Sequence, residues 1–490
     1  MIDLLVVNPP SGAAIYGPLA DDLTAIEPPL WSRIVAAWMR DRGFKVQILD
    51  AEAMRYSPKQ AAVVAMSKIE QARLVCVCVY GHQPSASTQQ MVGAGAFCRE
   101  LESLGSAVPR IMIGGHPSAL PVQTMDEEKV DFVGVGEGVL TVEGLLRGDD
   151  IAIIPGLVWR DGFLVRLNAK AANQPIEKLH GNAWDLLPMS KYRAHAWQCL
   201  DDLSWRHPYA SIHTSLNCPY QCSFCCISAP FGDNSYRTRS PDDVAYEIEH
   251  LYLTYGVKTF KITDEMFLLN KRHYGPLCDR LIDYGFSDEL NIWAYARIDT
   301  VDPMMLGRLR KAGFRWLALG IESGSAAVRD GANKKMKQRD IVEVVQQIKD
   351  AGINVIGNFI FGLPDDDLRT MEETFALAIE CMPDFANFYS CMAYPGSALY
   401  RQAVDAGAEL PETWAGYAQH GYDCRPLDTK HVDAATVLRF RDEAFRRFYS
   451  LPPYRLHVRK KFGEAALIHI DEMRARALPR RLLESELADA

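Results

Sequence analysis

A chain of 490 residues, 48% hydrophobic and without low-complexity tracts, has the composition of a globular enzyme of two or three domains. Its 53 basic and 62 acidic residues leave a net charge of −9, which argues against indiscriminate binding to nucleic acid or anionic membrane. No apolar run reaches the ~18 residues of a membrane span, the start lacks the basic stretch and cleavage site of a signal peptide, and the 12 cysteines show no disulfide framework, so a cytoplasmic, reducing setting is expected.

Along residues 1–150, short apolar runs at 4–8, 46–50, 74–79, 110–114 and 131–135 read as buried strands. Residues 28–39, 58–72 and 88–104 carry apolar side chains at helical spacing, and Gly105 stops the last of these helices. Strands alternating with helices predict an α/β domain, a doubly wound (Rossmann-like) parallel sheet whose ligands bind over the carboxyl ends of the strands. The loops there are Asn8-Pro9-Pro10, Gly81-His82 with Ser85 and Ser87, Gly114-Gly115-His116-Pro117-Ser118, and Gly134-Val135-Gly136-Glu137-Gly138. Nucleotide, flavin and phosphate sites share such glycine-rich turns, so the loops alone do not name a ligand.

Residues 157–160 and 163–166 predict a hairpin around an Asp161-Gly162 turn, and residues 168–182 read as a polar linker, so that 151–204 joins two domains. From 205 to 400 six strand–helix alternations follow, with strands near 211–216, 259–263, 291–296, 316–321, 355–361 and 386–392. The first helix is marked by Ser240 as cap, Pro241, Asp242 and Asp243 in its first turn, and Gly256 as stop. Six such units predict a partial (β/α)6 TIM-like barrel with its chemistry at the C-terminal mouth. Residues 401–490 predict a small helical C-terminal region, in which 439–461 reads as an amphipathic helix whose basic face is solvated or meets an acidic substrate or electron donor.

Cys218, Cys222 and Cys225 follow the first barrel strand at Cys-x3-Cys-x2-Cys spacing. Three thiolates on one tight loop hold three irons of a four-iron cluster and leave the fourth open to a ligand that is not protein. A zinc knuckle would need a fourth Cys or His; adjacent Cys226 is the candidate on paper, but its side chain is expected to point elsewhere in so tight a loop.

With Phe224 ahead of the third cysteine, Cys218-Pro219-Tyr220-Gln221-Cys222-Ser223-Phe224-Cys225 resembles the signature of the radical S-adenosylmethionine (SAM) enzymes. In that family SAM chelates the open iron of a [4Fe-4S] cluster, and its reductive cleavage gives a 5′-deoxyadenosyl radical that takes hydrogen from unactivated carbon. The resemblance extends to the other strand ends. Asp264 and Glu265 stand where the family has a Gly-Gly-Glu-like motif for the SAM amine, with Asp264 departing from glycine. Arg297 would pair with the cofactor carboxylate, Glu322 with ribose hydroxyls, residues 358–364 with adenine, and residues 394–397 would close the last unit.

The N-terminal loops in turn resemble those of the cobalamin-binding domain that precedes many radical SAM enzymes. On that resemblance Gly114, Gly115, Gly136 and their neighbours His116 and Glu137 border the cobalamin tail, and Ser85, Ser87 and Ser118 bond its amides or phosphate. The Asp-x-His-x-x-Gly motif that ligates cobalt in classical cobalamin domains is missing, so the lower face of cobalt has no obvious ligand; His82 and His116 read as loop hydrogen-bonders.

Together the two resemblances imply a methyltransferase acting on an unactivated carbon, or on phosphorus, of a small molecule. Its cofactors would be a [4Fe-4S] cluster, SAM and cobalamin, and its partner an external electron donor of the flavodoxin or ferredoxin type. The same cofactors also serve radical cyclisation, rearrangement and elimination. A methylthiotransferase would need a second three-cysteine cluster, for which Cys76, Cys78 and Cys98 are poorly spaced, and a cobalamin sensor would not need the intact cluster motif.

Overall fold

Side chains alternate along a strand, so strands covered on both faces are rich in apolar residues, as five runs of this chain are. In the computed structural model, which describes residues 2–20, 23–70, 72–81, 83, 85–336 and 340–484, they pair in parallel. These are β1 (Leu4–Asn8), β2 (Val46–Asp50), β3 (Leu74–Val79), β4 (Arg110–Gly114) and β5 (Phe132–Gly134), in the order β2-β1-β3-β4-β5. Leu4, Val6 and Cys76 enter one core with helices Leu30–Arg40 and Val139–Arg147, while Leu5, Val7 and Val75 enter another with helices Pro58–Ile69 and Ala86–Ser103. The sheet is therefore doubly wound, as expected. Cys76 and Cys78 lie in the first core and Cys98 in the second, on opposite faces of the sheet. Such a trio cannot ligate one cluster.

Two antiparallel strands, β6 (Leu157–Asp161) and β7 (Leu164–Leu167), extend the sheet. The predicted hairpin is present, but Asp161 pairs with Leu164, so the two-residue loop is Gly162-Phe163 and not Asp161-Gly162. Gly162 has φ +61°, and tight hairpin turns put that left-handed residue first in the loop.

β8 (Tyr209–Ile212) stops two residues short of β9 (Ser215–Leu216), which turns aside to pair with β10 (Arg237–Thr238), so the single strand expected over 211–216 is two. β8 continues into a six-stranded parallel sheet with β11 (Thr259–Ile262), β12 (Asn291–Arg297), β13 (Phe314–Glu322), β14 (Asn354–Phe361) and β15 (Phe385–Ser390). β8 and β15 do not pair with each other, so the barrel has an open side. The stretch expected to be a linker helps to fill it. Ile26 bridges Arg193, Tyr209 Oη on β8 donates to Glu27 at 3.0 Å, and Trp197 stacks on Phe385 of β15. Trp184, Tyr192 and Ala194 are buried in the barrel's own core.

The C-terminal region is helical, as expected, but residues 439–461 are not one helix. Helices Ala434–Ser450 and Pro452–Phe462 break at Leu451, because a residue before proline is disfavoured in helical backbone.

The two sheets are joined by buried charge. Arg33, from the helix Leu30–Arg40, lies 3.5 Å over the Trp184 ring and 3.5 Å from Glu247, which also accepts from Arg239 at 2.6 Å and from Trp184 Nε1 at 2.9 Å. These two arginines hold the Glu247 carboxyl below its usual range despite burial, which acts the other way. Glu247→Ala would leave two guanidinium groups buried without their carboxylate, and it should cost about 3–5 kcal/mol in denaturant unfolding.

Candidate active site

The cluster loop leaves β9 at Asn217, whose φ of +70° turns the chain sharply and whose side-chain oxygen accepts from Cys218 N at 2.8 Å. Ser223 N donates to Ala332 O at 2.9 Å, Leu399 N donates to Ser223 O at 2.8 Å, and Asn333 Nδ2 donates to Gln221 O at 2.7 Å. These bonds pin the loop to the ends of neighbouring units. Phe224 packs with Val328, Leu363 and Leu399. Cys218, Cys222 and Cys225 are half-buried free thiols, whereas Cys226 is buried in an apolar cluster with Met392, Tyr394 and Tyr417. Burial pushes the Cys218 thiol up to about 12, so it needs a cation or an iron to ionise. Two cations stand near: Arg297 Nη1 lies 4.0 Å from Cys222 Sγ, and Lys334 pulls the burial-raised Cys222 thiol back down. Three unpaired thiols facing two cations on a pinned loop suit an anionic iron-sulfur cluster. Among the described residues no three His, Cys, Asp or Glu converge as a single metal ion would require.

The predicted SAM-binding residues gather here, with differing degrees of freedom. Asp264 is 2% exposed and fully engaged, accepting from Thr214 N at 2.6 Å, Thr214 Oγ1 at 2.5 Å and Ser215 Oγ at 2.7 Å. Its work is to tie β11 to the stem of the cluster loop. Glu265 has no such partners, and burial pushes its carboxyl up to about 8, with Lys261 opposing. Arg297 spends its fork on Asp299, at 2.9 and 3.3 Å, and lies 3.9 Å over the Tyr220 ring. Glu322 ends β13 at φ +65°, a costly backbone for glutamate, where it meets the buried ammonium of Lys334. Neither Lys334 nor Asp299 stood in any sequence pattern; only the fold brings them to the loop.

Between the two sheets lies a cavity of about 690 Å³. Asn8, Gly12 and Gly81 bound it at the ends of β1 and β3, where the strand order reverses and open α/β sheets bind their ligands. The amide oxygen of Gln90, which also lines it, is buried with no hydrogen-bond partner, as suits a ligand rich in amide N–H groups. On the barrel side Trp293, Tyr295, Phe385 and Tyr389 form aromatic walls, and Lys261, paired with Glu27 at 3.0 Å, supplies the buried charge at the open side. These residues fit a corrin above a substrate chamber.

The other predicted cobalamin residues serve the scaffold. Gly114 has no room for a side chain, since a Cβ there would lie 1.9 Å from Val79 O, and Gly115 borders a smaller cavity beside Asn217 and Glu265. Ser87 Oγ donates to Val79 O and accepts from His116 N at 2.8 Å, and Ser118 Oγ accepts from Gly136 N at 3.0 Å. Ser85 sits half-buried ahead of the helix Ala86–Ser103 without capping it. Tyr80 Oη donates to Gly136 O at 2.7 Å, and Glu137 accepts from Arg237 at 2.6 Å and Gln174 N at 2.7 Å. His116 is buried, 3.2 Å from Thr88 Oγ1 and edge-on to Trp414, and borders neither cavity; His82 lies outside the described residues.

Two family models match separate parts of the chain. Residues 18–146 match the B12 binding domain and residues 212–378 match the radical SAM superfamily. The chain belongs to the cobalamin-dependent radical SAM enzymes. These domains bring cobalamin to the N-terminal sheet, and SAM with a [4Fe-4S] cluster to the barrel. An uncharacterized methyltransferase of Pyrococcus horikoshii is 26% identical over 92% of this chain and 93% of its own length. The anaerobic magnesium-protoporphyrin IX monomethyl ester cyclase of Cereibacter sphaeroides is 27% identical over 69% of this chain, which spans 55% of that relative. The fold is also that of the radical SAM methyltransferase TsrM of Kitasatospora setae, with TM-score 0.68 at 18% identity, covering 92% of this chain and 90% of that one. The cobalamin-dependent SAM radical enzyme OxsB aligns with TM-score 0.62 at 13% identity over the whole of this chain and 75% of its own. No helix among the described residues is long and apolar enough to cross a membrane.

Burial holds His116 neutral by pushing its pKa down to about 3. A depressed histidine contributes stability above its unfolded value near 6.5 and loses it as pH falls toward 3. Relative to His116→Asn, the wild type should therefore lose about 1.4 kcal/mol per pH unit between about pH 6 and 4, measured as the difference in unfolding free energy.

Proposed function

We propose that this enzyme methylates an unactivated carbon, or a phosphorus, of a small molecule, taking electrons from an external flavodoxin- or ferredoxin-type donor. The observation that supports the reading is the chamber lined both by the ends of β1 and β3 and by side chains of the barrel lumen, so that the sheet matched to the B12 binding domain and the barrel that bears the three cysteines share one cavity. When bound, the cluster with SAM supplies one-electron hydrogen abstraction, and cobalamin supplies the methyl group.

The chain's own residues do the rest. Cys218, Cys222 and Cys225 hold the cluster, and the hydrogen bonds of Ser223 and Asn333 fix its loop. The half-buried carboxyl of Glu265, which lines the smaller cavity, would receive the SAM ammonium, whose charge would restore the ionised form that desolvation disfavours. Glu322, held by Lys334, presents acceptors for ribose hydroxyls. Gln90 Oε1 accepts from a cobalamin amide, and the aromatic walls exclude water from reactive carbon. The P. horikoshii relative supports methyl transfer. The cyclase relative supports a second reading, oxidative ring closure, for which the same residues would hold the same cofactors.

After anaerobic reconstitution with SAM bearing a deuterated methyl group and a chemical reductant, mass spectrometry should find the label on bound cobalamin and should detect 5′-deoxyadenosine. Cys222→Ala should lower 5′-deoxyadenosine formation by at least about 100-fold while cobalamin, followed by its visible absorption, stays bound. Unlabelled cobalamin alongside ample 5′-deoxyadenosine would favour ring closure, and no 5′-deoxyadenosine from the wild type would refute both readings.

A further inference from the structure

The chain is acidic overall, yet one wall of its chamber is positive. Arg441, on the helix Ala434–Ser450, and Arg480, beyond the last helix, are 4% and 3% exposed and both line the cavity. They share one carboxylate. Asp442 accepts from Arg441 Nη1 at 2.7 Å and from Arg480 Nε and Nη2 at 3.0 Å each. Their other bonds go to neutral acceptors: Arg441 Nε donates to Phe388 O at 2.8 Å and Nη2 to His420 Nε2 at 3.3 Å, while Arg480 Nη1 donates to Gly421 O at 2.8 Å. Burial pushes His420 down to about 3, so it adds no charge. Among the described residues, the other carboxylate at this wall, Glu484, faces Tyr422 Oη at 2.7 Å.

Two buried guanidinium groups with one carboxylate leave a net positive charge out of water, an arrangement that is costly until an anion joins it. Each guanidinium has five N–H groups and spends three, so both retain donors for a carboxylate, phosphate or sulfonate. Aromatic residues border the cavity beside the pair, Tyr389 on β15 and Phe445 on the helix that carries Arg441. We infer that the substrate is an organic anion with a ring-bearing apolar body, its acidic group held by Arg441 and Arg480 and its body laid against these aromatic side chains. The inference deepens the proposed function and rests on it, since it assigns this part of the chamber to the substrate and not to a cofactor.

Two fluorescent probes that share an aromatic body test it. 8-Anilinonaphthalene-1-sulfonate carries a negative charge, and N-phenyl-1-naphthylamine carries none. The full chain, loaded with cluster, cobalamin and SAM, should bind the anionic probe about tenfold or more tighter than the neutral one. Arg480→Gln and, separately, Arg441→Gln should abolish that preference while leaving the neutral probe's affinity unchanged, which also reports that the chamber is intact. Arg447→Gln, on a surface ion pair with Glu372, should change nothing. Equal binding of the two probes by the wild type would overturn the inference, a result that needs no variant to fold, as would a preference that survives either buried substitution. A preference present in the unloaded chain but abolished by cobalamin or SAM would assign the charge to that cofactor and overturn it too. Failure of cobalamin to bind, read from visible absorption, would instead count against the proposed function, because the probe preference can be measured without it.

Discussion

The carboxylate of Asp264 sets the geometry on which the active site depends. A cluster loop can present three thiols to a common centre only if its stem leaves the barrel in a fixed direction, and a two-residue strand such as β9 cannot fix itself. Asp264 does so by accepting hydrogen bonds from the backbone and hydroxyl of Thr214 and from the hydroxyl of Ser215. His273 Nε2 bonds Thr214 Oγ1 at 2.9 Å from the following helix, closing the network. A glycine here, as in the Gly-Gly-Glu-like pattern, would bring a backbone to the cofactor but no such clamp. The departure from the family's pattern thus has a structural use, and it leaves Glu265 as the unencumbered acid.

Docking of the two sheets follows a similar logic at longer range. Apolar contact alone is indifferent to small slips, whereas a buried ion pair is satisfied in one register only, so charge at an interface sets alignment more than it adds stability. Arg33 with Glu247 fixes the back of the joint, and Glu27 with Lys261 fixes it inside the barrel. Glu27 belongs to the N-terminal sequence yet reaches a residue of β11, so the shape of the chamber depends on both sheets being in place.

Sequence patterns disclosed what is local. Strands β1 to β4 were legible residue for residue because a sheet covered by helices on both faces selects short, mainly apolar runs, and the three-cysteine loop stood out by its spacing. Where tertiary contacts compete with local preference, the reading failed. Residues 184–197 read only as the end of the connection between two domains, yet Trp184, Tyr192 and Trp197 pack against the barrel core. The long basic stretch near the C-terminus looked like one amphipathic helix until Pro452 divided it. Ser87 and Ser118 were expected to bond a ligand and Glu137 to border it; in the structure they carry hydrogen bonds within the protein, with residues as distant as Arg237. No periodicity in the chain encodes such pairings, nor that of Lys334 with Glu322.

Strain and charge in the barrel mouth are concentrated where cofactor chemistry would use them. Glu322 holds a left-handed backbone where β13 bulges against β14, and its carboxylate faces a lysine that also draws on the Cys222 thiol. A glycine would relieve the backbone but would lose the carboxylate that pairs with Lys334. Lys334 then faces two groups at once, the carboxylate beside it and the Cys222 thiol beyond. Loading a cluster adds negative charge at the loop and draws that ammonium toward it, which would loosen its hold on Glu322 and free carboxylate oxygens for hydroxyl donors.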